Sequence, residues 1–283
     1  MIIDCDPGVD DAVALFLAFA APRELNLLAV TTVAGNVGPG LTARNARLVR
    51  ELAGRTDVPV FAGAQRPLVR EPVEAGHFHG ASGLGTLPVF EPAAPLAPGH
   101  AATFIVESLL RAPAGSVTLV VTGPLTNVAL ALRLEPAIAQ RIGAIALMGG
   151  ARAEAGNITA SAEYNIHADP HAAHVVFSCG CPITVLGLDA THQVRSSAAR
   201  VARLRALGTV PARAVAELCE FSNALEPNLA RGGGAPLHDP CPVAWLLRPQ
   251  LFRSRPCYLQ VETCSPLTLG HTAVEFRPRR DGR

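Results

Sequence analysis

Four carboxylates crowd the start of this chain: Asp4, Asp6, Asp10 and Asp11 all fall within Ile2-Ile3-Asp4-Cys5-Asp6-Pro7-Gly8-Val9-Asp10-Asp11. In an extended strand, Asp4 and Asp6 share a side. Pro7-Gly8 signals a turn, after which Asp10 and Asp11 open an apolar helical run, at the helix end where negative charge is favoured. Four acids converging on one strand-to-helix corner repel one another and resist burial unless a cation sits among them. Oxygen donors with no paired Cys or His nearby suit a hard ion, Ca²⁺ or Mg²⁺, rather than zinc. A plainer reading has Asp10 as a helix cap, Asp11 solvated, and Asp4 and Asp6 decorating a strand end.

Further candidates lie at the ends of other apolar runs. Asn36 follows the strand-like Leu27 to Val33, and Gly76-His77-Phe78-His79-Gly80 sits in a Gly/Pro-rich loop from Arg66 to Gly99. A metal pair of His77 and His79 is conceivable, as is a mobile loop carrying one histidine to substrate, or two solvated side chains. The strand Val117 to Val121 ends at Thr122, whose carbonyl is free to coordinate because the ladder has stopped. The strand Ile142 to Met148 opens into a loop with Asn157, Glu163 and Asn165, groups suited to hydrogen bonding with hydroxyls. In His238-Asp239-Pro240, Asp239 is either the N-cap of a helix with proline at its first position or a site carboxylate beside an imidazole.

The elements that must position these residues alternate in type. Short β-branched runs (also Val58 to Ala62 and Ile183 to Leu188) interleave with helical stretches at Leu41 to Ala53, Ala101 to Leu110, after Asp169-Pro170, at Val201 to Cys219 (broken around Gly208 and Pro211) and at Cys241 to Leu247. That order predicts an α/β, Rossmann-like fold with a mainly parallel (mixed) central sheet flanked by helices, ligands binding beyond the carboxyl ends of the strands. A chain of 283 residues with 49% hydrophobic and 17% charged residues supports a large core. A net charge of +1 argues against a nucleic-acid partner, and no apolar run is long enough for a membrane span. Seven cysteines without a secretion signal read as reduced thiols in a cytoplasmic protein, and the close pair Cys179-Gly180-Cys181 is assigned no role.

With these residues in hand the chain resembles the inosine-uridine-preferring nucleoside hydrolase family over nearly its whole length. The resemblance is carried by the opening aspartate motif, Thr31 to Asn36, Gly76 to Gly80, Thr122 to Asn127, Leu147 to Gly150, Glu163 to Asn165, Gly187 to His192 and His238 to Pro240. It implies Ca²⁺-dependent hydrolysis of ribonucleosides, purine or pyrimidine, to ribose and free base, in nucleoside catabolism or salvage. It also implies a homodimer or homotetramer. The implied metal ligands are Asp6, Asp11, the Thr122 carbonyl and Asp239, with Asp6 also taking a proton from the attacking water. Asp10, Asn165 and Asp239 would hold the ribose 2′ and 3′ hydroxyls, Asn157 and Glu163 the 5′ hydroxyl, and Asn36 the ribose and metal shell. His79 would lie near the base and His238 would protonate it, with a pKa near 6.5 suited to that task.

The chain departs from the family pattern in two places. The segment Phe221 to Gly234 has Arg231 and glycines where protozoan members carry tyrosines near the base, which opens the question of base preference. A single catalytic domain over 1–283 is expected, short of the family's final strand and helix, with a basic tail from Arg277. A catalytically impaired, Ca²⁺-dependent ribonucleoside-binding protein is the alternative. A phosphohydrolase using Asp4-Cys5-Asp6 is disfavoured because the chain has no lysine to balance phosphate.

Overall fold

The computed structural model describes residues 1–225 and 233–277, so Arg231, Gly232 and the tail after Arg277 lie outside the described residues. In chain order the elements are β1 (Ile2–Cys5), α1 (Val9–Phe19), β2 (Ala29–Thr32), α2 (Pro39–Leu52), β3 (Val60–Ala62), α3 (Gly76–His79), α4 (Ala101–Arg111), β4 (Val117–Val121), α5 (Thr126–Leu134), β5 (Ile142–Met148), α6 (Tyr164–Ala168), α7 (Pro170–Phe177), β6 (Ile183–Leu186), α8 (Leu188–Thr191), α9 (Ala198–Ala206), α10 (Val210–Leu225), α11 (Pro240–Leu247), β7 (Tyr258–Val261) and β8 (Thr272–Glu275). Strands β1 to β6 form one parallel sheet in the order β3-β2-β1-β4-β5-β6. Strands β7 and β8 pair antiparallel in a separate ribbon, and isolated antiparallel bridges join Ala162 to His271 and Arg195 to Pro236. The strand order reverses between β1 and β4, and a crevice opens there beyond the carboxyl ends of the strands.

Alternation along the strands feeds two cores. Ile3, Cys5, Val30, Val60 and Val120 face one side, against α1, α2, α10 and α11 through Phe16, Leu48, Leu218 and Val243. Ile2, Leu119, Val121, Ile145 and Leu147 face the other, against Ile105, Val128 and Val176 of α4, α5 and α7. Both faces being covered is why these strands read as continuous apolar runs. Each fully buried Ile or Leu contributes about 1.5–3 kcal/mol of transfer free energy. Among the described residues no helix is long and apolar enough to cross a membrane.

Local chemistry explains where the boundaries differ from the sequence reading. The run from Ile183 stops at Leu186, because Gly187 turns the chain into α8. Around Gly208 there are two helices, as the break implied, but Pro211 sits in the first turn of α10, where a missing N–H costs nothing, and α10 continues to Leu225. Asp169 does cap α7, accepting from the Ala172 N–H at 3.0 Å through one oxygen. Its other oxygen accepts from the Leu68 N–H and the Thr126 hydroxyl.

Asp4 does not join the other acids. It accepts from the Thr31 hydroxyl at 2.5 Å and the Asn127 amide at 2.8 Å, tying β1 to β2 and α5. The same amide donates to the Thr32 carbonyl, and the Asn127 oxygen accepts from the Ala64 N–H at 2.8 Å. Burial raises Asp4 to about 7, against the pull of those two donors. Asn127→Ala strands a buried N–H and removes one of the two donors to Asp4. A loss of about 1–3 kcal/mol in urea denaturation is the expected result, and an unchanged midpoint would remove this network from the account.

Candidate active site

The end of β1 delivers Asp6, and the first turn of α1 delivers Asp10 and Asp11. From more than 200 positions later, His238 and Asp239 arrive at the start of α11, which packs against α1. Oxygens of Asp10, Asp11 and Asp239 lie within 4.8 Å of one another. Asp239 occupies the N-cap position of α11 but makes no side-chain capping hydrogen bond, so of its two readings the cap contributes position and the carboxylate is left to the acidic group. Among the described residues this is the one group of three or more metal-ligating side chains.

Asp6 sits beside that group, fully buried. One oxygen accepts from the Asn36 N–H at 2.7 Å, while Oδ1 is buried without a hydrogen-bond partner. Backbone from two other strand ends closes over this carboxylate. A Cβ on Gly35 would fall 2.0 Å from Oδ2 and one on Gly123 would fall 2.6 Å from Oδ1, so both positions require glycine. Asp11 accepts from the Gly8 N–H at 3.0 Å, the Asn36 side-chain amide at 3.0 Å and the Thr122 hydroxyl at 2.8 Å. The Thr122 carbonyl accepts from the Asn165 amide at 2.6 Å. Asn36 and Thr122 therefore brace the corner from β2 and β4.

Electrostatically the corner is under load. Burial, then the charges of Asp11 and Asp10, raise Asp6 well above the ordinary carboxylate range. Burial raises Asp239 in the same way, with Asp10, Asp11 and Asp6 adding to it. Asp11 is pushed up to about 7 by burial and by Asp10, against the donors it accepts from. An orphaned buried oxygen and carboxylates whose charge is opposed by burial and by each other fit a hard divalent cation.

A cavity of about 390 Å³ opens above the acids, a size suited to a small organic substrate. Asp10, Asn36, His79, Thr122, Asn157, Glu163, Asn165, His238 and Asp239 all line it, together with Phe78, Tyr164, His192, Ser222 and Leu225. Of the expected site residues Asp6 and Asp11 alone are absent from the wall, both being fully buried beneath it. Glu163 is spoken for by backbone: it caps α6 through the N–H groups of Asn165 and Ile166 and also accepts from Gly150 at 2.9 Å. Burial raises it to about 7. The Asn157 oxygen accepts from the Tyr164 N–H at 2.8 Å.

The histidine loop is fastened to the site. The Val9 N–H donates to His79 Nδ1 at 3.1 Å, the Ala75 N–H to the Asn36 carbonyl, and the Asn45 amide bridges the Pro7 and Ser82 carbonyls. His77 is exposed, its ring tilted against that of Phe78 with centroids 4.3 Å apart. His238 shares a hydrogen bond at 2.8 Å between its Nδ1 and the Thr191 hydroxyl, and its ring lies edge-on to His192, whose Nδ1 is 3.0 Å from Glu154. The expected pKa near 6.5 does not hold for His238. Burial, reinforced by His192 and His79 against the pull of Asp10, lowers it to about 4, so it is neutral near neutrality. Thr191, His192 and Glu154 had no assigned role from sequence; the signal available was their place after a strand end.

A family model described as inosine-uridine preferring nucleoside hydrolase matches residues 1–283. The chain belongs to that family. It is 47% identical over 276 residues to the pyrimidine-specific ribonucleoside hydrolase RihA of Photobacterium profundum, covering 97% of this chain and 88% of that protein. It is 42% identical to the inosine-uridine preferring nucleoside hydrolase of Crithidia fasciculata, covering 99% of this chain and 89% of that one. Among solved structures, the purine-preferring ribonucleoside hydrolase from Gardnerella vaginalis superposes with a TM-score of 0.90 at 34% identity, covering 96% of this chain and 86% of that one. Membership makes this nucleoside hydrolase an enzyme acting on N-glycosyl bonds of ribonucleosides, as the resemblance implied.

The raised carboxylates set the pH response of the metal-stripped enzyme. A folded state whose carboxyl groups have pKa values above their unfolded values holds more protons, so stability falls as pH rises through the window from about 4 to about 7. The melting temperature of chelator-treated protein should therefore drop between pH 5 and pH 8. At pH 8, a divalent ion at a hundredfold its Kd should restore on the order of 5–10 °C. A melting temperature flat with pH and indifferent to added ion would contradict this electrostatic reading.

Proposed function

We propose that this nucleoside hydrolase is Ca²⁺-dependent and that Asp6, Asp11, Asp239 and the Thr122 carbonyl hold the ion. The observation that carries the proposal is the meeting of amino-terminal and carboxy-terminal aspartates beneath one cavity, beside an Asp6 oxygen that has no other partner. The Thr122 carbonyl keeps a second lone pair beyond the one that accepts from Asn165. Carboxylates and a carbonyl converging in a buried, largely protein-built site suit Ca²⁺ better than Mg²⁺, which keeps several waters and a strict octahedron. When bound, the cation offsets the repulsion among the acids and raises the acidity of water.

In this reading Asp6 takes the proton of the attacking water. Asp10, Asn165 and Asp239 hold the 2′ and 3′ hydroxyls, while Asn157 and Glu163 stand at the 5′ hydroxyl and Asn36 supports the acids from below. Fixed carboxylates stabilise the positive character that grows on the ribose as the glycosidic bond breaks. His238 acts as a neutral donor. With the Thr191 hydroxyl as donor to its Nδ1, its Nε2–H is left to hydrogen-bond the departing base, and His79 also lines the cavity. Uridine fits the names of both the pyrimidine-specific and the inosine-uridine preferring relatives, and we take it as a substrate. One catalytic domain over 1–283, a homodimer or homotetramer, and a cytoplasmic setting complete the proposal, the last supported by seven cysteines that form no disulfide.

Release of reducing sugar from uridine, cytidine, inosine and adenosine, with and without Ca²⁺, tests the proposal. Hydrolysis of uridine that disappears with chelator and returns with Ca²⁺ is expected; binding of all four without turnover would instead indicate a catalytically impaired binding protein. Asp6→Ala should abolish release from every substrate. His238→Ala should cost roughly 10²–10⁴-fold for the poorer leaving bases and less for the better ones. An equal loss across the panel would argue against His238 as the donor to the base.

A further inference from the structure

Before the amino end of β6, the edge strand of the sheet, the five residues between α7 and β6 bring two thiols together. The Sγ atoms of Cys179 and Cys181 are 3.1 Å apart. Their approach is set by the backbone on both sides. The Cys179 N–H donates to the Val176 carbonyl at the end of α7, and the Pro182 carbonyl accepts from the Ile145 N–H at the start of the β5–β6 ladder. Gly180 between them takes a left-handed turn, with φ at 82°, open to the surroundings on its Cβ side. A helix end and a strand start thus hold one short turn whose two side chains face each other, half-buried against the core built on α4, α5 and α7.

We propose that Cys179 and Cys181 form a redox-active dithiol that closes reversibly to a disulfide by exchange with a small-molecule disulfide. The two sulfurs do not make a metal site of ordinary kind, since among the described residues no third His, Cys, Asp or Glu joins them. The thiols also differ in character: the hydrogen bond from Cys181 pulls Cys179 down to about 6, while the same contact raises Cys181. Cys179 is therefore the attacking thiolate. It bonds to one sulfur of the small disulfide and expels the other half as a thiolate. Cys181 then attacks Sγ of Cys179 and expels the second half; its proton, and the one Cys179 had shed to solvent on ionising, go to the two released thiolates. The net change is one disulfide made, one broken and two small thiols released.

Arginine-directed cleavage releases a single peptide, residues 153–195, that contains these two cysteines and no other. Native protein is equilibrated in glutathione buffers of rising oxidised fraction, alkylated, digested and weighed. The expected wild-type result is a peptide that loses two hydrogens, resists alkylation, and recovers both alkylation sites after dithiothreitol. Cys181→Ser should instead hold one glutathione on Cys179. Full alkylation of both thiols at every buffer ratio, persistent glutathione adducts on the wild type, or cross-links to peptides holding other cysteines would each overturn the proposal. The wild-type readout does not depend on how any variant folds.

Discussion

Burying several carboxylates at one point is the constraint around which this protein is arranged. Asp6, Asp11 and Asp239 are nearly or wholly withdrawn from water, and each is made a weaker acid by burial and by its neighbours. Isolated ionised groups in such a place would be strongly destabilising, and the structure answers with donors and with room for a cation. The N–H groups of Gly8 and Asn36, the Thr122 hydroxyl and the Asn36 amide all point inward at the acids. The glycines after β2 and β4 bring backbone closer than any side chain would permit.

The sheet supplies the means. Its strand order reverses between β1 and β4, so the two loops leaving those strands diverge and expose the corner that Asp6 and Thr122 share. Closing the corner requires α11 to dock on α1, a contact that brings Asp239 from near the far end of the chain. Function here thus rests on long-range packing: the ribbon of apolar contacts among α1, α10 and α11 is also what fixes the distance between acids. Asp4 and Asn127 act one layer beneath, locking β1, β2 and α5 so that the strand ends cannot shear past one another.

Much of this was legible in the residues. The strands 117–121 and 142–148 end where their apolar runs end, and the aspartate corner announces itself because Pro7-Gly8 separates a strand from a helix start. Asp4 could not be told from Asp6 by spacing, since both lie on one side of the strand; only the partner across the fold, Asn127, separates a structural acid from a site acid. The proton affinity of His238 was equally hidden, because it depends on the walls around the ring and on His192 and His79, which arrive from distant elements. Gly208 and Pro211 misled about α10 alone: a proline breaks a helix interior but is at home in a first turn.

The central claim is that buried acids hold protons in the bare protein and give them up to a cation. Calorimetric titration of Ca²⁺ into chelator-stripped enzyme near pH 7, repeated in buffers of different ionisation enthalpy, measures ion stoichiometry and proton release together. The account predicts one ion bound per chain with protons released on binding, and the release growing smaller as the pH is raised. Binding without proton release, or no binding at all, would contradict it.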